Sequence, residues 1–174
     1  MKTITDEKLM LEVSRGNLDQ LKILFERHHS HVYNFLLKMT RNQMLSEDIT
    51  QEVFYKIMRH RETYKDGKFV SWMFTITRNC LSSHMRKKKE DSLGFDPRSA
   101  KDLVSDIEAK EELSHLEEAL NHLELPDREL LTLAKLQNIR YNELAVIMDS
   151  TPGAVKAKVF RAIQKLKTIY FKDI

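Results

Sequence analysis

Tyr141-Asn-Glu-Leu-Ala-Val-Ile-Met-Asp-Ser-Thr-Pro-Gly-Ala-Val-Lys-Ala-Lys-Val-Phe-Arg-Ala-Ile-Gln-Lys-Leu-Lys167 is the stretch on which the reading of this chain turns. A short apolar-periodic run is followed by a turn at Asp149–Thr151 and a longer run opening at Pro152, which is a helix-turn-helix pattern. Leu144, Ala145 and Met148 on the first helix and Val155, Val159 and Ile163 on the second recur at helical spacing, so they are expected to lock the pair together. From Pro152 through Lys172 there are six Lys or Arg and no acidic residue. A helix that buries one stripe and offers only cations elsewhere suits a groove lined with phosphates, which makes DNA the first partner implied.

Upstream of this pair the helical pattern continues. Leu113, Leu116, Leu120 and Leu123 predict one helix, and Pro126 opens another with Leu130, Leu131 and Ala134 inward. Together with the helix-turn-helix they predict a C-terminal domain over residues 106–174. Residues 90–105, containing Asp91-Ser-Leu-Gly-Phe-Asp-Pro-Arg-Ser99, have no period and carry Gly94 and Pro97; they are expected to form a flexible linker. Residues 1–89 predict a second helical domain. A first helix from Thr5 to Arg15 ends at Gly16, and Asn17 with Gln20 is placed to cap a long second one. That helix carries Leu21, Leu24, Phe25, His28, Val32, Phe35, Leu36 and Met39 on one stripe. Ser46 is placed to cap a third, with Ile49, Val53 and Ile57 on one face. A fourth runs from Phe69 to Lys88 with Phe69, Trp72, Met73, Ile76 and Cys80 spaced for burial. Strand signals are scarce. The fold class expected is therefore all-α: two small helical domains joined by a flexible linker, the C-terminal one a helix-turn-helix.

Composition agrees. The 174 residues include 41% hydrophobic and 32% charged side chains, with only 4 Gly and 3 Pro, as short-looped helical domains require. A net charge of +3 says little about nucleic acid, but its distribution says more. Lys56 to Lys89 holds ten Lys or Arg against Glu62 and Asp66, whereas Glu90 to Glu118 holds ten acids against three basic residues. The single Cys, Cys80, excludes an intramolecular disulfide and fits a reducing compartment. Met1-Lys-Thr-Ile-Thr-Asp-Glu-Lys8 has no apolar core, so no signal peptide is expected. The longest aliphatic run, Leu144 to Met148, is too short for membrane insertion, so a cytoplasmic location is expected.

Two constellations carry chemistry in the first domain. Tyr64, Phe69, Trp72 and Phe74 are interleaved with Lys65, Lys68, Arg78 and Arg86-Lys-Lys-Lys89. Cations follow a phosphate backbone, and exposed aromatic faces hold unstacked bases at about 1–3 kcal/mol each. The bland reading of Phe69, Trp72 and Phe74 is that they are mostly core, and of Arg86 to Lys89 that they are a solvated helix end. Upstream, Asp48, Gln51, Glu52 and Tyr55 share one helix face by their spacing. An acidic-polar face repels phosphate but fits a basic protein surface; it is also what an ordinary wetted helix looks like. His28 and His31 lie one turn apart, but apart from Glu26 nothing nearby completes a metal set. No Ser-His-Asp set, Gly-rich phosphate loop or paired metal carboxylates appear at usable spacing, so neither catalysis nor a cofactor is expected.

Asp48-Ile-Thr-Gln-Glu-Val-Phe54 followed by Phe69-Val-Ser-Trp-Met-Phe-Thr-Ile-Thr-Arg-Asn79 resembles the first conserved domain of bacterial RNA polymerase sigma factors. Leu125-Pro-Asp-Arg-Glu-Leu-Leu131, Tyr141-Asn-Glu-Leu-Ala-Val-Ile-Met148 and Gly153-Ala-Val-Lys-Ala-Lys-Val-Phe-Arg-Ala162 resemble their C-terminal domain. The order and the short chain are similar to the extracytoplasmic-function (ECF) group. The resemblance implies that Asp48, Gln51, Glu52 and Phe54 lie on or support a face docking onto core RNA polymerase. It implies that Lys68, Trp72, Arg78 and Asn79, with the loop Tyr64 to Gly67 and the basic Arg86 and Lys87, engage and open the downstream promoter element. Lys156, Ala157, Lys158, Phe160 and Arg161 would meet the upstream element in the major groove. An inhibitory anti-sigma factor is a further implied partner. The rival reading of the residues is a stand-alone helix-turn-helix regulator, which would have no use for the aromatic-basic first domain.

The chain departs from the family pattern at several places, among them Ala157, which removes a possible hydroxyl donor. Asn138-Ile-Arg140 stands where many members have Gly-x-Ser, which removes a Ser cap. Asp149 stands at a turn where Gly is frequent. Asn and Asp tolerate left-handed backbone, so the geometry is expected to survive. Lys replaces Arg at several groove positions, and Lys lacks the bidentate fork that reads guanine.

Overall fold

The computed structural model describes residues 2–91 and 111–172, with side chains in the second segment from Ser114 onward. Every regular element among them is helical, in two compact units. The first contains α1 (Asp6–Ser14), α2 (Asp19–Thr40), α3 (Gln43–Arg59), a 3-10 turn (Arg61–Thr63) and α4 (Phe69–Asp91). The second contains α5 (Glu111–His122), α6 (Leu125–Leu131), a π-helical turn (Thr132–Leu136), α7 (Tyr141–Ile147) and α8 (Pro152–Lys172). Of the expected linker, only Glu90 and Asp91 are described, as the last turn of α4; the rest of it, and Leu113 as a core side chain, lie outside the described residues.

In the first unit α2, α3 and α4 meet around a common core. Leu24, Val32, Phe35 and Leu36 of α2, Ile49, Val53 and Ile57 of α3, and Phe69, Met73, Phe74 and Cys80 of α4 are all buried. Phe35 and Phe74 cross edge-to-face at 5.6 Å, an arrangement the ring quadrupoles favour. Leu9, Met10 and Val13 dock α1. On the expected α2 stripe, Phe25 departs: it is 40% exposed and makes an edge contact with Phe54 at 4.9 Å.

Two expected caps are corrected. Asn17 does not cap α2, which starts from Leu18 without a side-chain cap. The Asn17 N–H instead donates to the Glu12 carbonyl at 3.0 Å, while Gly16, at φ +103°, donates to Val13. This is a Schellman closure, and it commits Asn17 to ending α1. Ser46 is not the cap of α3 but sits one turn inside it. Asn42, with extended backbone, places its side-chain oxygen 3.0 Å from the Leu45 N–H. The buried Ser46 hydroxyl bonds back to the Asn42 carbonyl at 2.7 Å and to Thr40 Oγ1 at 2.8 Å.

In the second unit the helix-turn-helix closes on Leu144, Ala145 and Ile147 of α7 and Val155, Val159 and Ala162 of α8. Met148 and Ile163, expected in this seam, are only half-buried. The reason is phase: the α8 stripe steps from 159 to 162 rather than to 163, which turns Ile163 to the edge. Asn138 and Asp149 are both left-handed, at φ 54° and 50°. Asp149 ends α7 by donating to Val146, and Ser150 donates to Ala145 at 2.9 Å. α7 begins at Arg140 with no side-chain cap, as the missing Ser implies. Thr151 caps α8, its hydroxyl accepting from the Ala154 N–H at 3.2 Å.

Candidate functional site

The outer surface of α8 has an ordered cross-section. Opposite its buried stripe stand Gly153, Ala157, Phe160, Arg161 and Gln164, all exposed, with Phe160 at 63%. At about 100° per residue, Lys156 and Lys158 fall on opposite flanks of that ridge, about 200° apart. Lys167 joins the first flank and Lys165 the second, where Lys165 is tied to Asp127 at 3.0 Å. A ridge of Gly, Ala and Phe that also carries Arg161 and Gln164, with lysines to either side, matches a major groove, whose floor carries base edges and whose two walls carry phosphates.

On α4 the structure sorts the candidates. Lys68, Trp72, Asn79 and Arg86 fall on one line, spaced by four and seven residues, with Lys68, Asn79 and Arg86 exposed and Trp72 half-exposed. Arg78 and Lys87 do not share it; each is about 80–100° around the helix, on opposite sides, and Arg78 is half-buried. The aromatics divide as well. Phe69, Phe74 and Tyr64 are core, at no more than 3% exposure, which leaves Trp72 as the ring available for stacking. Tyr64 therefore does not offer a face to a base. It packs edge-on behind Trp72 at 5.2 Å and donates its hydroxyl to the Gly67 carbonyl at 2.7 Å. Burial, then the carboxylates of Glu7, Asp66 and Asp6, push that hydroxyl up to about 12, so it remains a donor. The loop it closes exposes Lys65, Asp66, Gly67 and Lys68, with Gly67 at φ +84°.

On α3, Asp48 and Gln51 are exposed on one face. Met44, at 76% exposure, and Tyr55, at 53%, extend it. Met44 joins the face from one turn before Asp48, a spacing that helical periodicity alone makes visible. Phe54 is buried at 7%, so it supports this face from behind through its contact with Phe25. Glu52 is half-buried and already engaged: Lys56 Nζ lies 3.1 Å away and His84 Nε2, from α4, donates at 2.6 Å. Partial burial draws its carboxyl upward, but the bonds from His84 and Lys56 outweigh this and hold it below the ordinary value. Glu52 thus ties the α3 face to α4. Cys80 lies beneath this group, and burial pushes its thiol up, which keeps it a packing residue. His28 pairs with Asp6 at 2.8 Å. Among the described residues no cluster could hold a metal ion and no helix is long and apolar enough to cross a membrane.

Comparison with known proteins matches this arrangement unit by unit. The Sigma-70 region 2 profile matches residues 24–90, and the Sigma-70 region 4 profile matches residues 114–166. The ECF RNA polymerase sigma factor SigM of Bacillus subtilis is 31% identical over 155 residues, covering 87% of this chain and 95% of that protein. The RNA polymerase sigma factor CarQ of Myxococcus xanthus is 31% identical over 163 residues, covering 88% and 91%. Among solved structures, the sigma factor RpoE of Bartonella quintana, in complex with the anti-sigma factor NepR, is similar with a TM-score of 0.72 at 25% identity, over 88% of this chain and 98% of that one. With both Sigma-70 regions matched in order and relatives 31% identical over most of its length, the chain belongs to the ECF group of RNA polymerase sigma factors and is a transcription initiation factor.

Proposed function

We propose that the three surfaces divide the work of initiation. The α3 face of Met44, Asp48, Gln51 and Tyr55, backed by Phe54 and fixed by Glu52, docks onto core RNA polymerase. The α4 line of Lys68, Trp72, Asn79 and Arg86, with the loop before it, captures the downstream promoter element as single strand. The α8 ridge of Ala157, Phe160 and Arg161 reads the upstream element while Lys156 and Lys158 hold the phosphate walls. The observation that carries this reading is the α4 line, because a duplex-only reader has no use for a half-exposed tryptophan between cations. Arg78 and Lys87, which lie off it, serve as flanking charge rather than as contacts to the same strand.

The energetics suit a factor that works only in a larger assembly. Opening the duplex needs no catalytic side chain; it needs flipped bases held strongly enough to offset a few kcal/mol of lost stacking per step. Each unit alone offers a few cations and so only modest, salt-sensitive affinity. Once core polymerase fixes their spacing, the second contact becomes intramolecular and gains by effective concentration. The domain limits 1–89 and 106–174 follow the same division of labour. The factor acts in the cytoplasm, where polymerase and promoter meet. An anti-sigma protein covering the α3 and α4 faces is the natural inhibitor, as NepR is bound to the Bartonella quintana relative.

Run-off transcription from a genomic fragment library with core polymerase tests the reading. Promoter-specific initiation is expected only when this chain and core polymerase are both present. Equal promoter selectivity by the isolated chain, or no initiation on any fragment, would refute it.

A further inference from the structure

We propose that Glu7, on α1, is a positioning residue for strand opening: its carboxylate caps α4 from outside the element that does the capture. This rests on the assignment of the α4 line to single-strand capture. α1 lies before the stretch matched by the region 2 profile, which begins at residue 24.

The first residues of a helix have N–H groups with no partner inside it. At the start of α4 the Trp72 N–H donates to the Lys68 carbonyl at 3.2 Å, which places Lys68 at the cap position. Lys cannot accept a hydrogen bond, so the local sequence Asp66-Gly67-Lys68 supplies no cap there. Glu7 fills the gap from 62 positions away, its Oε1 accepting from the Phe69 N–H at 3.3 Å. A carboxylate at that end also complements the helix dipole.

The capping group is itself held. Asp6 accepts from Arg27 at 2.9 Å and from His28 at 2.8 Å, which fixes the first turn of α1 onto α2. Arg27 also donates to the Ile4 carbonyl at 2.8 Å. The His28 ring lies 5.3 Å from that of Phe69. The loop before α4 is thus pinned twice: at Gly67 by the Tyr64 hydroxyl, and at Phe69 by Glu7. Trp72 follows one turn later. A stacking platform fixed in advance loses less on capturing a base than one ordered at the moment of capture.

The test compares Glu7→Ala with Glu7→Gln, whose amide oxygen still accepts from Phe69. Amide hydrogen exchange at Phe69 is read in the isolated chain; polymerase affinity and the rate of promoter opening are read in the holoenzyme. Glu7→Ala should lower Phe69 protection and the opening rate by about fivefold each, the effect of losing one cap bond, with polymerase affinity unchanged. Glu7→Gln should recover most of both. Opening unchanged in Glu7→Ala, or equally impaired in Glu7→Gln, overturns the proposal. So does a loss of polymerase affinity or of helical circular dichroism in Glu7→Ala, which would make the residue merely structural. If the wild-type holoenzyme opens no promoter while Phe69 protection still depends on Glu7, the capture reading of α4 fails and this proposal falls with it.

Discussion

Replacing Lys156 and Lys158 together by Gln isolates the electrostatic part of upstream recognition. Both are exposed on α8, and neither forms a salt bridge among the described residues. Lys165, by contrast, is neutralised by Asp127 at 3.0 Å. Each phosphate contact contributes about 0.9 to the slope of log affinity against log salt, so removing two should reduce it by about 1.8. Over a rise from about 50 to about 200 mM salt, two such contacts amount to about a twelvefold loss of affinity that the variant should no longer suffer. Fluorescence anisotropy of holoenzyme on a labelled duplex carrying the upstream element measures this directly. Lys165→Gln should change the slope by less than one contact's share. Arg161→Gln should also reorder affinities among promoter variants, because Arg161 stands on the ridge rather than on a flank. A double variant with an unchanged slope would refute the placement of Lys156 and Lys158 at the groove walls.

Three further outcomes are expected. Trp72→Ala should retain polymerase binding but form open complexes about 5- to 150-fold less readily, the worth of one base–aromatic stack, as permanganate reactivity of thymines would show; Arg78→Gln, off the line, should matter less. Asp149→Gly should be neutral or stabilising by up to about 1 kcal/mol, whereas Asp149→Val should cost about 1–2 kcal/mol in urea unfolding, because its φ of 50° penalises branched side chains. Glu52 has a folded carboxyl value held below its ordinary 4.5, so its contribution is present above that value and is lost as pH falls through the lower folded one. The difference in urea midpoint between wild type and Glu52→Gln should accordingly shrink as pH is lowered from about 7 to about 3, and a difference that persisted in acid would remove the His84–Glu52 tie as its source.

Much of this protein was legible before any coordinates because its information is local. Helical periodicity and the scarcity of Gly and Pro announced an all-α chain, and the turn chemistry of Gly16, Asn138 and Asp149 correctly marked left-handed backbone. The helix-turn-helix and the segregated charge were equally plain, since both are written in runs of adjacent residues. What local pattern could not decide was which member of a chemically equivalent set does a given task. Asn42 and Ser46 are both good caps; the extended backbone at Asn42 selects it. Tyr64, Phe69, Trp72 and Phe74 all suit either a core or a base; only the tertiary packing of the first unit, α1 included, buries three and leaves Trp72 outward. The angular grouping of Lys68, Trp72, Asn79 and Arg86 was implicit in their spacing, but which side of α4 meets water was not. The bond from Glu7 to Phe69 lay beyond sequence reasoning altogether. Helical structure is set by neighbours a few residues apart, whereas burial and long-range capping depend on which surfaces the folded chain brings together.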